Sequence, residues 1–204
     1  HPDPTVKRQS GFLIPSFNSS NVLGSSINIP YYHVISQNQD FTFRPTLFDD
    51  DVKMFQNEYR KKNKNSSLFL DFSYIDNFKS ALTNKKNSIS HIFANFDADL
   101  AWKNFTQSDL LVSVKKVSND TYLKIFDSNI YKNEVSPTNY DVLKSEAKLI
   151  LNNENYNFTT GFQSYENLNL SNTDRYQFIL PYYDFNRQIF ENDFTGIINF
   201  SSSG

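Results

Sequence analysis

The stretch Ser67-Leu68-Phe69-Leu70-Asp71-Phe72-Ser73-Tyr74 decides the fold class. Leu68, Leu70, Phe72 and Tyr74 take the even positions, while Ser67, Asp71 and Ser73 face the other way. Successive side chains of an extended chain point to opposite faces, so this period of two describes a strand with one apolar face. The same beat recurs along the chain. Phe41, Phe43 and Leu47 alternate with Asp40, Thr42, Arg44 and Thr46. Ile92, Ala94, Phe96, Ala98 and Leu100 alternate with His91, Asn95, Asp97 and Asp99. Tyr176, Phe178, Leu180 and Tyr182 alternate with Arg175 and Gln177. The second face carries full charges and amides, strand after strand.

Working outward predicts about eleven strands, at 11–18, 22–32, 39–48, 52–62, 67–75, 88–100, 107–118, 142–151, 155–166, 174–183 and 192–201. Most exceed the usual length of about 5–6 residues and match the roughly 9–11 that a tilted strand needs to cross a bilayer. Connections are polar, and those at 76–87 and 119–141 are longer. Asp141–Leu151 also fits a helix, but the alternation of Ala147, Leu149 and Leu151 favours a strand. The expected fold is all-β: an antiparallel transmembrane β-barrel fragment of meandering strands, not closed by this piece alone.

Composition narrows the function classes. The 204 residues carry a net charge of −2, which argues against a large basic face for nucleic acid. Without cysteine there is no disulfide and no thiolate metal site. No apolar run approaches the ~20 residues of a transmembrane helix. Twenty Phe and twelve Tyr are unlike a disordered chain and fit half-buried strands. The start at His1 fits a removed signal peptide or an excised piece, and the abrupt end after the apolar Ile197, Ile198 and Phe200 favours an excised piece.

Catalytic signatures are absent: no serine elbow, no phosphate-cradling glycine loop, no cysteine nucleophile. His1, His33 and His91 lack ligand spacing, so no metal and no cofactor is expected. Asp97 and Asp99 share a strand face, as an acid/base pair or, more simply, as part of a wet surface. Asp49-Asp50-Asp51 reads as a cation site or a solvated hairpin tip, and Lys61, Lys62, Lys64, Lys85 and Lys86 as a headgroup patch or solvated loops. Ile29-Pro30-Tyr31-Tyr32 and Leu180-Pro181-Tyr182-Tyr183 echo one another, as interfacial aromatics or by chance in a Tyr-rich chain.

Pro15 and Pro30 stand apart. Proline gives no N–H to a ladder and is normally kept out of sheet interiors. Two prolines in successive strands at the start of a sheet predict a seam made to open.

The run His1-Pro2-Asp3-Pro4-Thr5-Val6-Lys7-Arg8-Gln9-Ser10-Gly11-Phe12-Leu13-Ile14-Pro15, with Asn28-Ile29-Pro30-Tyr31-Tyr32 after it, resembles the start of the β-barrel of the LptD (OstA) family of lipopolysaccharide (LPS) assembly proteins. Phe41-Thr42-Phe43-Arg44-Pro45, Val117–Leu123 and Arg175–Tyr183 are similar to later family segments, in order. The resemblance implies residence in the outer membrane of a Gram-negative bacterium. It also implies LPS insertion into the outer leaflet through a lateral gate, with an LptE-type lipoprotein plug and an LptA-type periplasmic bridge as partners, and no enzymatic step. On it, Pro15 and Pro30 match gate prolines and Lys7 and Arg8 match the junction with a missing periplasmic jelly roll. Residues 1–10 are then that junction and 11–204 the first barrel strands. Arg44, Asp71, Asn95, Asp97, Asp99 and Gln177 are the candidates to face a hydrated lumen that holds the LPS glycan, while acyl chains reach outer-membrane lipid through the gap. The alternatives are a soluble all-β carbohydrate-binding module, whose apolar faces share a core, and a passive porin.

Overall fold

The computed structural model describes residues 8–20, 22–49, 51–79, 86–171, 173–192 and 196–204. Its strands are β1 Gly11–Phe12, β2 Ser16–Ser20, β3 Gly24–Asn28, β4 Tyr31–Ser36, β5 Gln39–Phe48, β6 Lys53–Lys62 and β7 Ser66–Lys79. They continue with β8 Lys86–Asp99, β9 Gln107–Val117, β10 Val142–Asn152, β11 Tyr156–Asn167, β12 Tyr176–Asn192 and β13 Gly196–Ser203. One turn of helix, α1 Tyr122–Ile125, lies between β9 and β10. The strand order is β1-β4-β5-β6-β7-β8-β9-β10-β11-β12-β13, with β2 paired to β3 and β3 to β5. The sheet is all-β and meandering, and does not close within this piece.

Thirteen strands replace the expected eleven because each of the first two is broken at its proline. β1 and β2 are halves of one strand, and β3 and β4 halves of the next. Phe12 pairs with Tyr31 and Ser16 with Asn28, so the three residues Leu13-Ile14-Pro15 oppose the two residues Ile29-Pro30. That extra residue is a bulge, the usual accommodation where proline meets a ladder. Later, β7 and β8 run further into the predicted 76–87 loop, β12 continues past 183 to Asn192, and 142–152 is a strand as its alternation required.

The chain divides into two compact units. The first comprises His1–Asn63, Leu68–Ala94 and Lys115–Tyr140, and the second Lys64–Ser67, Asn95–Val114 and Asp141–Gly204.

In the first unit the buried face of the sheet mixes polar side chains with apolar ones such as Met54, Ile75, Ile89 and Phe93, and apolar side chains are exposed on the opposite face. On β5, Asp40, Thr42, Arg44 and Thr46 are buried while Leu47 is exposed. On β7, Asp71 and Ser73 are buried, with Phe72 37% and Tyr74 48% exposed. On β8, His91 is buried and Ile92 is exposed. The polar face is covered by the segment 118–141 between β9 and β10. Tyr122, Phe126 and Val135 of that segment are fully buried, and the Phe126 ring meets Phe48 and Phe78 edge-on at centroid distances of 6.2 and 5.6 Å. Burying such side chains contributes about 1.5–3 kcal/mol each. A nominal loop is thereby a docked element.

In the second unit β10 and β11 pair without interruption from Val142↔Asn167 to Asn152↔Asn157. Gly161 of β11 has no side chain to fend off Tyr182 of β12. A Cβ there would stand 3.0 Å from the Tyr182 hydroxyl and 2.4 Å from the Ala147 carbonyl oxygen. The ring lies across the glycine, and its hydroxyl donates to Glu146 Oε1 at 2.9 Å.

Candidate functional site: a proline-broken ladder beside a capped polar face

The backbone of the first three strands fixes the direction of each missing bond. Leu13 N donates to the Pro30 carbonyl at 2.8 Å. In an antiparallel ladder a residue's N–H and C=O point to the same neighbour, and such a pair normally exchanges two bonds. Pro30 has no N–H to return, so the loss falls on the contact between first and second strands. Pro15 precedes β2 directly, is exposed, and belongs to the bulge. Pro30 is buried between β3 and β4. Outward of this ladder Phe12, Ile14 and Phe17 are exposed, Ile14 at 90%.

The polar face behind the ladder is organised by Asp71, which is fully buried. Its carboxylate accepts from Gln56 Nε2 at 3.1 and 3.0 Å and from Asn133 Nδ2 at 2.8 Å. His91 Nε2 lies 3.2 Å from Asp71 Oδ1, and His91 Nδ1 lies 2.6 Å from the Tyr122 hydroxyl. Burial pushes the Tyr122 hydroxyl's pKa far up, so it stays protonated, with both His91 Nδ1 and Ser73 Oγ within hydrogen-bond reach. The Asp71 carboxylate can only accept. His91 Nε2–H then donates to Asp71. Ser73 Oγ is 3.1 Å from His91 Nδ1. Ser73, His91 and Asp71 thus have the composition of a nucleophile triad, but each is at most 3% exposed beneath Tyr122. The group is a satisfied buried network that holds segment 118–141 down.

Arg44 belongs to the same face. Its Nη2 donates to Glu58 Oε2 at 3.2 Å, Glu58 Oε1 accepts from Asn133 Nδ2 at 2.9 Å, and the guanidinium lies over the Tyr131 ring. Gln56 clasps the Tyr131 backbone from both sides, donating to its carbonyl at 2.9 Å and accepting its N–H at 2.8 Å.

Of the six lumen candidates, Arg44 and Asp71 come together in the first unit, under 118–141. Four lie in the second. Asn95 Oδ1 is buried without a hydrogen-bond partner among the described residues, and Asn95 and Asp97 border a cavity of about 150 Å³ with Ser113, Glu146 and Lys148. Asp97 also accepts from Ser67 Oγ at 3.3 Å. Asp99 is spent in a turn, accepting the Ala101 N–H at 2.8 Å. Gln177 is exposed on β12 opposite Tyr165. At the junction, Arg8 binds Asp40 and the Tyr32 hydroxyl, which raises its pKa chiefly through Asp40; Lys7 lies outside the described residues, as do Asp50 and Lys85. Sequence reading missed Pro45, Tyr122, Tyr131 and Asn133. The signal for the first was its place fifteen residues after Pro30, itself fifteen after Pro15. For the rest it was a predicted loop carrying apolar residues such as Phe126, Ile130 and Val135.

Known LPS-assembly proteins are similar to most of this chain. The LPS-assembly protein LptD of Idiomarina loihiensis is 27% identical over 161 residues, covering 78% of this chain and 20% of that protein. LptD of Mannheimia succiniciproducens is 29% identical over 197 residues, covering 95% of this chain and 24% of the relative. The chain is similar to LptD proteins. A third LptD, from Legionella pneumophila strain Paris, is 29% identical over 170 residues. The chain spans about a fifth of the length of these curated LptD relatives. No family model matches it.

Proposed function

We propose that this chain is the leading wall of an outer-membrane β-barrel that delivers LPS to the outer leaflet through a gap beside its first strand. The exposed apolar stripe of β7 and β8, opposite a buried face that holds Asp71 and His91, carries the reading. A soluble sandwich buries its apolar stripes, whereas a wall between lipid and a polar interior exposes Phe72, Tyr74 and Ile92 and shelters Asp71 and His91. The relation to LptD proteins supports the cargo. The physical account is a division of labour: the glycan keeps to the polar side and the acyl chains pass between strands. A ladder bond contributes about 0.5–1.5 kcal/mol net, and the bond missing at Pro30, with the bulge at Pro15, lowers the cost of opening. No covalent bond changes, so the chain is a conduit and not an enzyme. An LptE-type plug inside the barrel and an LptA-type bridge feeding a preceding periplasmic domain through the Lys7–Arg8 junction complete the assembly. Asn95, Asp97 and Gln177 line the glycan's path, while Arg44 and Asp71 anchor the segment 118–141 beside it.

The test is Pro15→Ala with Pro30→Ala in the full-length protein, reading LPS at the cell surface. The expected result is reduced surface LPS with normal amounts of folded protein. A passive pore is indifferent to both substitutions, and that outcome contradicts the proposal.

A further inference from the structure

Pro45 lies inside β5, a strand paired on both sides, where proline is least tolerated. Its carbonyl accepts the Ile29 N–H at 3.1 Å. By the geometry that applies to Pro30, the Pro45 nitrogen faces the same neighbour, and the return bond to Ile29 cannot form. On the other side β5 pairs with β6 in unbroken register from Gln39↔Lys61 to Leu47↔Lys53, with Pro45 opposite Phe55. Proline therefore removes a bond between the first and second strands at Pro30 and between the second and third at Pro45, while the third-to-fourth contact keeps its ladder. The second strand is also interrupted between β3 and β4, and its pairing to β5 shifts register between Val34 and Ser36.

From this geometry we infer that Pro45 is a third gate residue, and that the moving part is the two-stranded hairpin from Gly11 to Ser36, swinging against β5, rather than the first strand alone. The inference rests on the gate reading above and adds a hinge to it. The seam beside the first strand is where the gap forms; the weakened contact to β5 is what lets the hairpin yield as one body. β5, held to β6 and fixed through Arg44 to Glu58, is the post on which it turns.

Paired cysteines in the full-length protein test this. Ile27 faces Phe17 on one side and Leu47 on the other, so one position serves two staples. Facing residues of antiparallel strands lie about 4.5–5.5 Å apart at Cα, within disulfide reach. Oxidised Ile27→Cys/Leu47→Cys is expected to lower surface LPS several-fold, with recovery on reduction, while oxidised Phe17→Cys/Ile27→Cys is tolerated. Pro45→Ala, which returns one N–H to the ladder, is expected to leave roughly two- to tenfold fewer open gates. The reverse staple pattern, together with a silent Pro45→Ala, overturns the role of Pro45 and leaves the gate reading standing if Pro15 and Pro30 still matter. Indifference to both staples and to all three proline substitutions overturns both.

Discussion

The Arg44 guanidinium carbon sits 3.6 Å from the centre of the Tyr131 ring. This pairs a buried charge of β5 with an aromatic of segment 118–141, and a face-on cation is attracted by the ring quadrupole. Tyr131→Phe keeps the ring and the backbone clasp by Gln56, so docking is expected to survive. Tyr131→Ala should weaken docking by about 1–2 kcal/mol. Protease cleavage within 118–141 in the intact protein reads the difference; equal cleavage of the two variants would remove the cation–ring contact from the account.

Asp71 is the acceptor on which the same segment depends. Asp71→Ala leaves Gln56 Nε2 and His91 Nε2 without it, and Asn133 Nδ2 with only Glu58. Buried donors that lose their acceptor cost about 1–3 kcal/mol each. Cleavage of 118–141 should rise by more than Tyr131→Ala produces, and amide exchange across Tyr122–Phe126 should accelerate. Unchanged exchange would mean that apolar packing of Phe126 alone holds the segment.

Asp127, Lys132 and Tyr140 form a trio on the outer side of the segment, with Lys132 Nζ 2.7 Å and the Tyr140 hydroxyl 2.6 Å from Asp127 Oδ1. Lys132, then Tyr140, hold the Asp127 pKa below the ordinary carboxylate value. A depressed carboxylate pKa stabilises the folded state above the ordinary range, and this contribution is lost as pH falls through the folded value. The cleavage difference between the natural chain and Asp127→Asn should stay constant from about pH 8 to 5 and close only below about pH 4. A difference that closes at pH 6 would contradict it.

Gly161 and Tyr182 interlock. Gly161→Ala puts a Cβ 2.4 Å from the Ala147 carbonyl oxygen, and backbone must shift. Overpacking of this kind costs about 1–3 kcal/mol. The expected outcome is a lower unfolding midpoint together with loss of the Tyr182–Glu146 bond. Tyr182→Phe, which loses only the hydroxyl, should cost less; the opposite ranking would place the interaction in the hydrogen bond rather than in the fit.

The strands were legible because alternation is a local signal, and Leu68 to Tyr74 announces its faces without any partner. The breaks at Pro15 and Pro30 were legible as weakness but not as breaks, since the bulge that splits the strands depends on register between them. Pro45 went unread because the direction of a missing N–H is a property of the pair, not of the residue. The least legible part was 118–141. Its polar residues suggest a loop, and only with Gln56, Asp71 and His91 on one face does the burial of Tyr122 and Val135 follow. Arg44 and Asp71 were found on the polar face, but the cover over them was not.

The central claim is that the stripe of Phe72, Tyr74 and Ile92 faces lipid. Nitroxide labels at these three positions, placed singly in the full-length protein in bilayers, test it through collision with oxygen, which concentrates in lipid, and with a water-soluble nickel chelate. The account predicts strong oxygen and weak nickel broadening at all three; strong nickel broadening, or protection from both, would contradict it.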